Sequence, residues 1–185
     1  MHFEQATEIE QLNPKAILLA RLTVDELDDL AIFDCSNKEM NDFFKEDAYR
    51  EQEKGLNNTY LLYYKGSLAA ACSVCCDAIS LNEDEKEEED VPYTKVPAIK
   101  IARLARDLNF HGLGLGKFLV RYVKQHAYAL HTDGNIGVRF ITVDAYPDKV
   151  PYYQNAFGFI VNKSHRIKEG RPVSMRLDIF DNLPY

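Results

Sequence analysis

Three alternating glycines followed by a lysine are the residues of this chain whose spacing most directly suggests chemistry. They belong to the run His111-Gly112-Leu113-Gly114-Leu115-Gly116-Lys117, here called the glycine loop, which precedes a long segment with helical periodicity. Glycine lets the backbone approach a ligand closely, and the N–H groups at the start of a helix bind anions. The run therefore predicts a loop that binds a phosphate group.

The charges around the glycine loop support this interpretation. No Asp or Glu occurs between Asp107 and Asp133, although the chain has 29 acidic residues. Lys117 falls in the first helical turn. A cation there interacts unfavourably with the helix dipole, at a cost of about 0.3–1 kcal/mol in stability unless an anion is bound. Arg121 and Lys124 follow at helical spacing. A glycine-rich turn without a ligand is the alternative.

Neither common nucleotide-binding loop fits the sequence. In a Walker loop the two glycines stand one position further apart than Gly112 and Gly116, and a hydroxyl residue stands where this chain has Phe118. The dinucleotide fingerprint fails because Lys117 and Leu119 occupy the positions where its last glycine could fall. The predicted phosphate belongs to another class of ligand.

Metal and thiol chemistry are not expected. Cys72, Cys75 and Cys76 lie within the apolar run Leu68–Ile79, and no second ligand cluster accompanies them. Buried cysteine behaves as a small hydrophobic residue, so these three are predicted to be core residues. His126 and His131 lack the spacing of a zinc-binding helix.

The elements that must position the loop can be read from periodicity and turn residues. A strand over Pro97–Arg106 precedes the loop and a helix from Gly114 to Leu130 follows it. The upstream elements are a strand over Ile17–Leu22, a short helix opened by a Thr23/Glu26 capping box, a helix over Lys38–Glu53 with Ser36 as N-cap, and a hairpin of Thr59–Tyr64 with Leu68–Ser80.

Downstream, a strand, a helix and two further strands are predicted. They cover Arg139–Ala145, Pro151–Ala156, Phe159–Val161 and Val173–Phe180. Without an internal repeat or linker, the expectation is one mixed α/β domain over residues 1–185.

Composition describes a globular protein with an uneven charge. The net charge is −7, yet residues 1–98 carry 22 acidic and 9 basic residues while residues 99–185 carry 7 and 13. An anionic ligand is therefore expected to bind to the second half.

The acidic run Asn82–Asp90 predicts a solvated loop, or a border of an acceptor site that attracts cations. The chain has no run of eighteen apolar residues and no secretory pattern at its start, so a cytoplasmic protein without a membrane partner is expected.

The glycine loop resembles the acetyl-CoA pyrophosphate loop of the GNAT superfamily of N-acetyltransferases, Arg/Gln-x-x-Gly-x-Gly/Ala, with His111 in the first position. The preceding Leu104-Ala105-Arg106-Asp107 is similar to the family's Leu-Ala-Val-x strand, whose backbone pairs with the pantetheine arm. The resemblance implies a GNAT-like mixed α/β fold, with a central, mostly antiparallel twisted sheet flanked by helices. It also implies that Leu104–Arg106 and His111–Lys117 bind acetyl-CoA, and that no metal is needed.

A second resemblance lies downstream of the loop. Val143-Asp144-Ala145, then Val150-Pro151-Tyr152-Tyr153, then Phe157-Gly158-Phe159 are similar to the family's strand, helix and Tyr…Gly-Phe signature. The match implies that Tyr153 is the general acid. Its distance to Gly158 is one residue longer than in the family, which leaves Tyr152 as the alternative.

Upstream motifs resemble the subgroup that includes tRNA-acetylating toxins. They are Phe33-Asp34-Cys35-Ser36-Asn37, Asn58-Thr59-Tyr60 and the Val96-Pro97 entry to a strand. The net charge of −7 and the acidic run disfavour a large RNA partner.

The resemblance implies an N-acetyltransferase that uses acetyl-CoA and acts by direct attack of an amine. Backbone N–H groups near Leu104–Arg106 would stabilise the oxyanion and Tyr153 would protonate the thiolate; no general base is identified. The acceptor is expected to be a small-molecule or peptide amine, and the family often forms homodimers. The alternatives are a non-catalytic acyl-CoA-binding module and toxin-type acetylation of aminoacyl-tRNA.

Overall fold

The computed structural model describes residues 12–164 and 170–181 and contains seven strands. The first residues of the chain, on which the expectation of no secretory signal rests, lie outside these ranges. The strands are β1 (Ile17–Arg21), β2 (Asn58–Tyr64), β3 (Ser67–Ser80), β4 (Lys95–Arg106), β5 (Phe140–Ala145), β6 (Ile160–Val161) and β7 (Val173–Asp178).

Six α-helices lie between the strands in the described part of the chain. They are α1 (Leu27–Ile32), α2 (Lys38–Asp42), α3 (Ala48–Glu53), α4 (Glu83–Glu88), α5 (Leu115–Thr132) and α6 (Val150–Phe157). A π-helical segment, Phe43–Asp47, joins α2 to α3. Short 3-10 helices cover Pro14–Ala16, Val24–Glu26, Leu108–Phe110 and Pro147–Lys149.

The strands follow the order β1-β2-β3-β4-β5-β7-β6 in one sheet. β1 with β2, β2 with β3, β5 with β7 and β6 with β7 pair antiparallel. β4 and β5 pair in parallel, from Ala98 opposite Phe140 to Ile101 opposite Val143. A parallel pair needs a crossover connection, which α5 supplies. The predicted mixed α/β class with a mostly antiparallel sheet is confirmed.

The contacts divide the chain into two compact units. The first comprises the residues up to Val74 together with Arg103–Val120, and the second comprises Cys75–Ala102 together with the residues from Arg121 onward. β3, β4 and α5 each contribute residues to both units. Each unit has a cluster of buried apolar side chains, built around Phe33, Phe44 and Leu61 in the first and around Leu81 and Phe140 in the second.

Most predicted elements are present within a few residues of their expected bounds. The Thr23/Glu26 capping box is formed as predicted. The predicted hairpin turn is also present, because Lys65 and Gly66 adopt φ values of 52° and 82°. One cap is assigned wrongly, since Asn37 and not Ser36 accepts the N–H of Met40 at the start of α2. Ser36 itself adopts a left-handed φ of 62°.

The prediction that Asn82–Asp90 is a solvated loop is wrong. Asn82 and Glu85 form a capping box that opens α4. Glu85 is fully buried and its carboxylate accepts from Nη1 of Arg176 at 2.9 Å, while Glu89 accepts from Nε of Arg176 at 2.8 Å. Arg176 is 1% exposed and lies on β7. The acidic segment is thus fixed to the second unit's strands by a buried cation.

The uniform burial predicted for the three cysteines of β3 is wrong. Cys72 is buried and Cys75 is half-buried, whereas Cys76 is exposed. Cys72 and Cys76 are four positions apart and therefore lie on the same face of β3. Residues 68–74 are buried on both faces, and the face that carries Cys76 becomes exposed at that residue. No described helix is long and apolar enough to cross a membrane.

Candidate functional site

The glycine loop of the first unit connects the end of β4 to the start of α5. The 3-10 turn Leu108–Phe110 follows β4, and Gly112 and Gly114 then adopt φ values of 77° and 70°. The N–H of Phe118 donates to the carbonyl of Gly114 at 3.1 Å, which places Gly114 at the N-cap position of α5. The next three N–H groups have no acceptor within the helix, so they are available to an anion.

Gly112 adopts a backbone conformation that favours glycine, and it also leaves room for a ligand. Other residues adopt a left-handed φ at a cost of about 1–2 kcal/mol. A Cβ atom built on Gly112 meets no atom within 4 Å. The space beside this backbone is open, as it is beside Gly55 and Gly66, and it leaves room for a ligand.

The electrostatics of the loop are those of an anion site. The first turn of α5 contains no acidic residue, and Lys117 is half-buried within that turn. Lys124 does not contribute in the way its spacing suggested. Its ammonium donates to the main-chain oxygen of Asp181, and burial lowers its pKa, against the neighbouring charges of Asp181 and Asp178.

Asp107 holds the strand end that leads into the glycine loop. Its carboxylate accepts the main-chain N–H of Asp34 at 3.0 Å and that of Asn109 at 2.9 Å. Its own N–H donates to the carbonyl of Ala69 at 2.9 Å, and the N–H of Leu108 donates to the carbonyl of Asp34 at 2.8 Å. The start of the loop is therefore tied to β3 and to the turn at Asp34.

Two further contacts fix the 3-10 turn. Phe110 packs edge-on against Tyr64, with ring centroids 6.4 Å apart. The guanidinium of Arg106 donates to the carbonyl of Asp107 at 2.8 Å. Ala105 is buried in the first unit's core, whereas Leu104 and Arg106 are half-buried. The predicted acetyl-CoA residues are thus consecutive parts of one well-anchored segment.

Tyr153 lies in the second unit, on α6. Its ring packs against Phe159 with centroids 5.4 Å apart and against Phe157 with centroids 6.1 Å apart. Gly158, with a φ of 82°, ends the helix, and the N–H of Phe159 donates to the carbonyl of Tyr153 at 3.3 Å. Tyr153 is half-buried, while Tyr152 is 40% exposed. The aromatic packing of the Gly-Phe turn therefore orients Tyr153.

The contacts made by Asp107 and by Arg176 were not predicted from the sequence. Asp107 and Asn109 have the Asp-x-Asn pattern of an Asx turn, which is a recognisable signal. The partner Asp34 is 73 positions away, and no local pattern identifies it. Arg176 gave no signal at all, because a lone arginine in a strand is normally exposed.

The described residues contain no group of three or more His, Cys, Asp or Glu side chains that could hold a metal ion. Burial raises the pKa of the Cys72 thiol to about 12. A thiol of that pKa remains protonated at neutral pH and is a poor nucleophile.

Solved structures with a similar fold are known, although no protein-family model matches the chain. A tyrosine-to-phenylalanine mutant of KacT is 20% identical, with a TM-score of 0.72 over 89% of this chain and 95% of that one. AtaT complexed with acetyl-methionyl-tRNAfMet is 20% identical, with a TM-score of 0.72 over 88% and 94%. AtaTR bound with AcCoA is 20% identical, with a TM-score of 0.66 over 89% and 94%. The predicted GNAT-type fold is confirmed.

Proposed function

We propose that this chain, which has the GNAT fold, is an N-acetyltransferase that transfers the acetyl group of acetyl-CoA to an amine. The fold alone does not establish an activity. The proposal rests on the glycine loop. Two of its glycines adopt left-handed φ values, and the helix that follows has no acidic residue in its first turn. The likeness to a structure bound with AcCoA supports the choice of ligand.

The loop residues would hold the pyrophosphate and the end of β4 the pantetheine arm. Acetyl-CoA supplies an activated thioester. The N–H groups of Leu115, Gly116 and Lys117 bind phosphate oxygens, with the positive end of the α5 dipole behind them. Half-buried Leu104 and Arg106 present their backbone to an extended ligand, as the family resemblance implies.

Tyr153 is proposed to donate a proton to the leaving sulfur. Its half-buried ring is oriented by Phe159, so its hydroxyl has a defined direction. A cytoplasmic location, where this ligand is available, belongs to the same proposal.

The binding of acetyl-CoA to the purified protein tests the proposal by calorimetry. Wild-type protein is expected to bind with a micromolar Kd. Gly114→Glu is expected to weaken binding by about 100-fold, because it forces a side chain to a φ of 70° and places a carboxylate at the anion site.

Gly55→Glu is the matched control for that substitution. Gly55 lies in the same unit with a φ of 71° and has open space around it. It introduces the same charge and the same backbone strain away from the glycine loop, so its Kd should stay within twofold of wild type. Absence of binding by the folded wild-type protein would refute the proposed function. Binding without turnover on any amine would instead favour a non-catalytic acyl-CoA-binding module.

Acetylation of aminoacyl-tRNA is the second candidate activity. It is favoured by the likeness to AtaT complexed with acetyl-methionyl-tRNAfMet, which extends over 88% of this chain. The net charge of −7 favours a small-molecule or peptide amine. The transfer of radiolabelled acetyl from acetyl-CoA to aminoacylated total tRNA, compared with the transfer to a panel of polyamines and peptides, distinguishes the two candidate acceptors.

The acidic segment gives a further prediction about a cationic acceptor. Glu85 and Glu89 hold Arg176, so neutralising every acid from 83 to 90 would disrupt the fold. The triple variant Asp84→Asn, Glu87→Gln, Asp90→Asn leaves that contact intact. It is expected to raise the KM for a cationic acceptor several-fold with kcat unchanged. Steady-state kinetics at two salt concentrations measure the effect, and an unchanged KM would exclude the segment from acceptor recognition.

A further inference from the structure

Asp107 is a carboxylate in a place where electrostatics alone would disfavour one. It precedes the glycine loop by four residues and is the last acidic residue before Asp133. A negative charge this close to a phosphate site repels the ligand, and the rest of the segment avoids acids. Asp107 is also 6% exposed, and burial of a carboxylate is unfavourable unless hydrogen bonds compensate it.

The hydrogen bonds that compensate Asp107 converge from two directions. Oδ1 accepts the main-chain N–H of Asn109 at 2.9 Å and its side-chain amide at 3.0 Å. Oδ2 accepts the main-chain N–H of Asp34 at 3.0 Å. One oxygen therefore shapes the turn that enters the glycine loop, and the other fastens that turn to a distant segment.

The distant segment has hydrogen bonds of its own. The carboxylate of Asp34 accepts the N–H of Ser36 and the side-chain amide of Asn41, each at 2.8 Å. Oδ1 of Asn41 in turn accepts the N–H of Cys35 at 2.9 Å. These bonds lower the pKa of Asp34, with the N–H of Ser36 as the largest cause. Asp107 is thus attached to a fixed turn.

We propose that Asp107 is a positioning residue for acetyl-CoA binding, which acts by fastening the entry of the glycine loop to the Asp34–Asn41 turn. The inference rests on the proposed function. Asp107 makes its contacts with protein donors and holds the backbone N–H groups of the loop in the orientation that the pyrophosphate requires.

The charge of Asp107 and its positioning role predict opposite results for Asp107→Asn. Removal of a negative charge near an anion site should tighten the binding of acetyl-CoA if charge is the only contribution. The asparagine amide can keep one acceptor for Asn109, but its NH2 group then faces the N–H of Asp34 and the hydrogen bond from Asp34 to residue 107 is lost. The N–H of Leu108 still donates to the carbonyl of Asp34, so the turn keeps one of its two hydrogen bonds to that segment. The proposal therefore predicts weaker binding, by at least tenfold.

Three variants measured in parallel test this by calorimetry with acetyl-CoA and by thermal unfolding. Asp107→Asn should weaken binding tenfold or more. Asn41→Ala keeps the charge of Asp107 and loosens only the turn, so it should weaken binding about threefold. Gln52→Ala is the stability control. The buried side chain of Gln52 donates to the carbonyl of Leu22 and accepts the N–H of Thr59, in the same unit but outside the glycine loop. Its Kd should stay within twofold of wild type.

Hydrogen exchange separates this inference from the proposed function. Without any ligand, the amides of Gly112 to Lys117 should exchange faster in Asp107→Asn than in wild type. In Gln52→Ala their exchange rates should equal those of wild type. An unchanged or lower Kd for Asp107→Asn would overturn the inference while leaving the proposed function in place. If wild-type protein does not bind acetyl-CoA, the proposed function fails; unchanged loop exchange in Asp107→Asn would overturn the positioning role independently.

Discussion

Arg176→Met is expected to lower the free energy of unfolding by about 3–5 kcal/mol at pH 7. Arg176 is 1% exposed and forms ion pairs with Glu85, which is fully buried, and with Glu89. Removal of the guanidinium leaves a carboxylate without its cation in the interior, and this is more costly than the loss of the pair itself. Urea unfolding followed by circular dichroism measures the change.

The pH dependence of that loss gives a second readout. Burial would raise the pKa of Glu85, but the N–H groups of Asn82 and Lys163 and the charge of Arg176 outweigh it, so the pKa is lowered. In the wild type this contributes stability above the unfolded pKa that disappears as pH falls through the folded pKa. In Arg176→Met the protonation of Glu85 relieves the buried charge, so the difference from wild type should shrink between pH 7 and pH 4.

Lys163→Met provides the control for Arg176→Met. It breaks the pair with Glu88, in which both side chains are about half exposed. Exposed pairs contribute about 0–1 kcal/mol, so this variant should stay close to wild type. A loss below 1 kcal/mol for Arg176→Met would show that the buried network does not stabilise the second unit.

Tyr153→Phe is expected to lower kcat by about 10²–10⁴-fold, the usual contribution of a general acid. The substitution removes one hydroxyl and keeps the ring that packs against Phe157 and Phe159. The Kd for acetyl-CoA should therefore remain within twofold of wild type. Steady-state kinetics and calorimetry on the same preparation separate the two effects.

Tyr152→Phe is the matched control, because it makes the same chemical change at the neighbouring residue of α6. Tyr152 is 40% exposed, and its variant should retain full kcat. A large loss in Tyr152→Phe with none in Tyr153→Phe would assign the acid to Tyr152. Full activity in both variants would mean that water protonates the leaving sulfur.

The loop and its flanking elements were predictable because their signals are local. Alternate glycines, a strand before them and a helix after them all lie within consecutive residues, and the structure has this arrangement. The capping box at Thr23 was predictable for the same reason. These features depend on backbone sterics and on side chains within one turn.

The errors arose where a local pattern competes with a distant contact. Ser36 and Asn37 can both cap a helix, but Asp34 accepts the N–H of Ser36 and the cap passes to Asn37. The acidic run has the charge of a solvated loop, yet Glu85 pairs with an arginine 91 positions away. The π-helical turn at Phe43–Asp47 has the same apolar spacing as an α-helix, so periodicity does not reveal it.

The discontinuity of the first unit has a consequence for protein synthesis. Its core includes Leu61, Leu68 and Ala71 from one stretch of chain and Ala105 from another. At roughly 5–20 residues per second, a ribosome needs roughly 2–9 seconds to proceed from Val74 to Val120. During that interval the apolar side chains already synthesised lack part of their partner surface and are open to chaperones or to neighbouring nascent chains. The hydrogen bond between the N–H of Asp34 and Asp107 cannot form before Asp107 has been synthesised, so this part of the first unit is completed late.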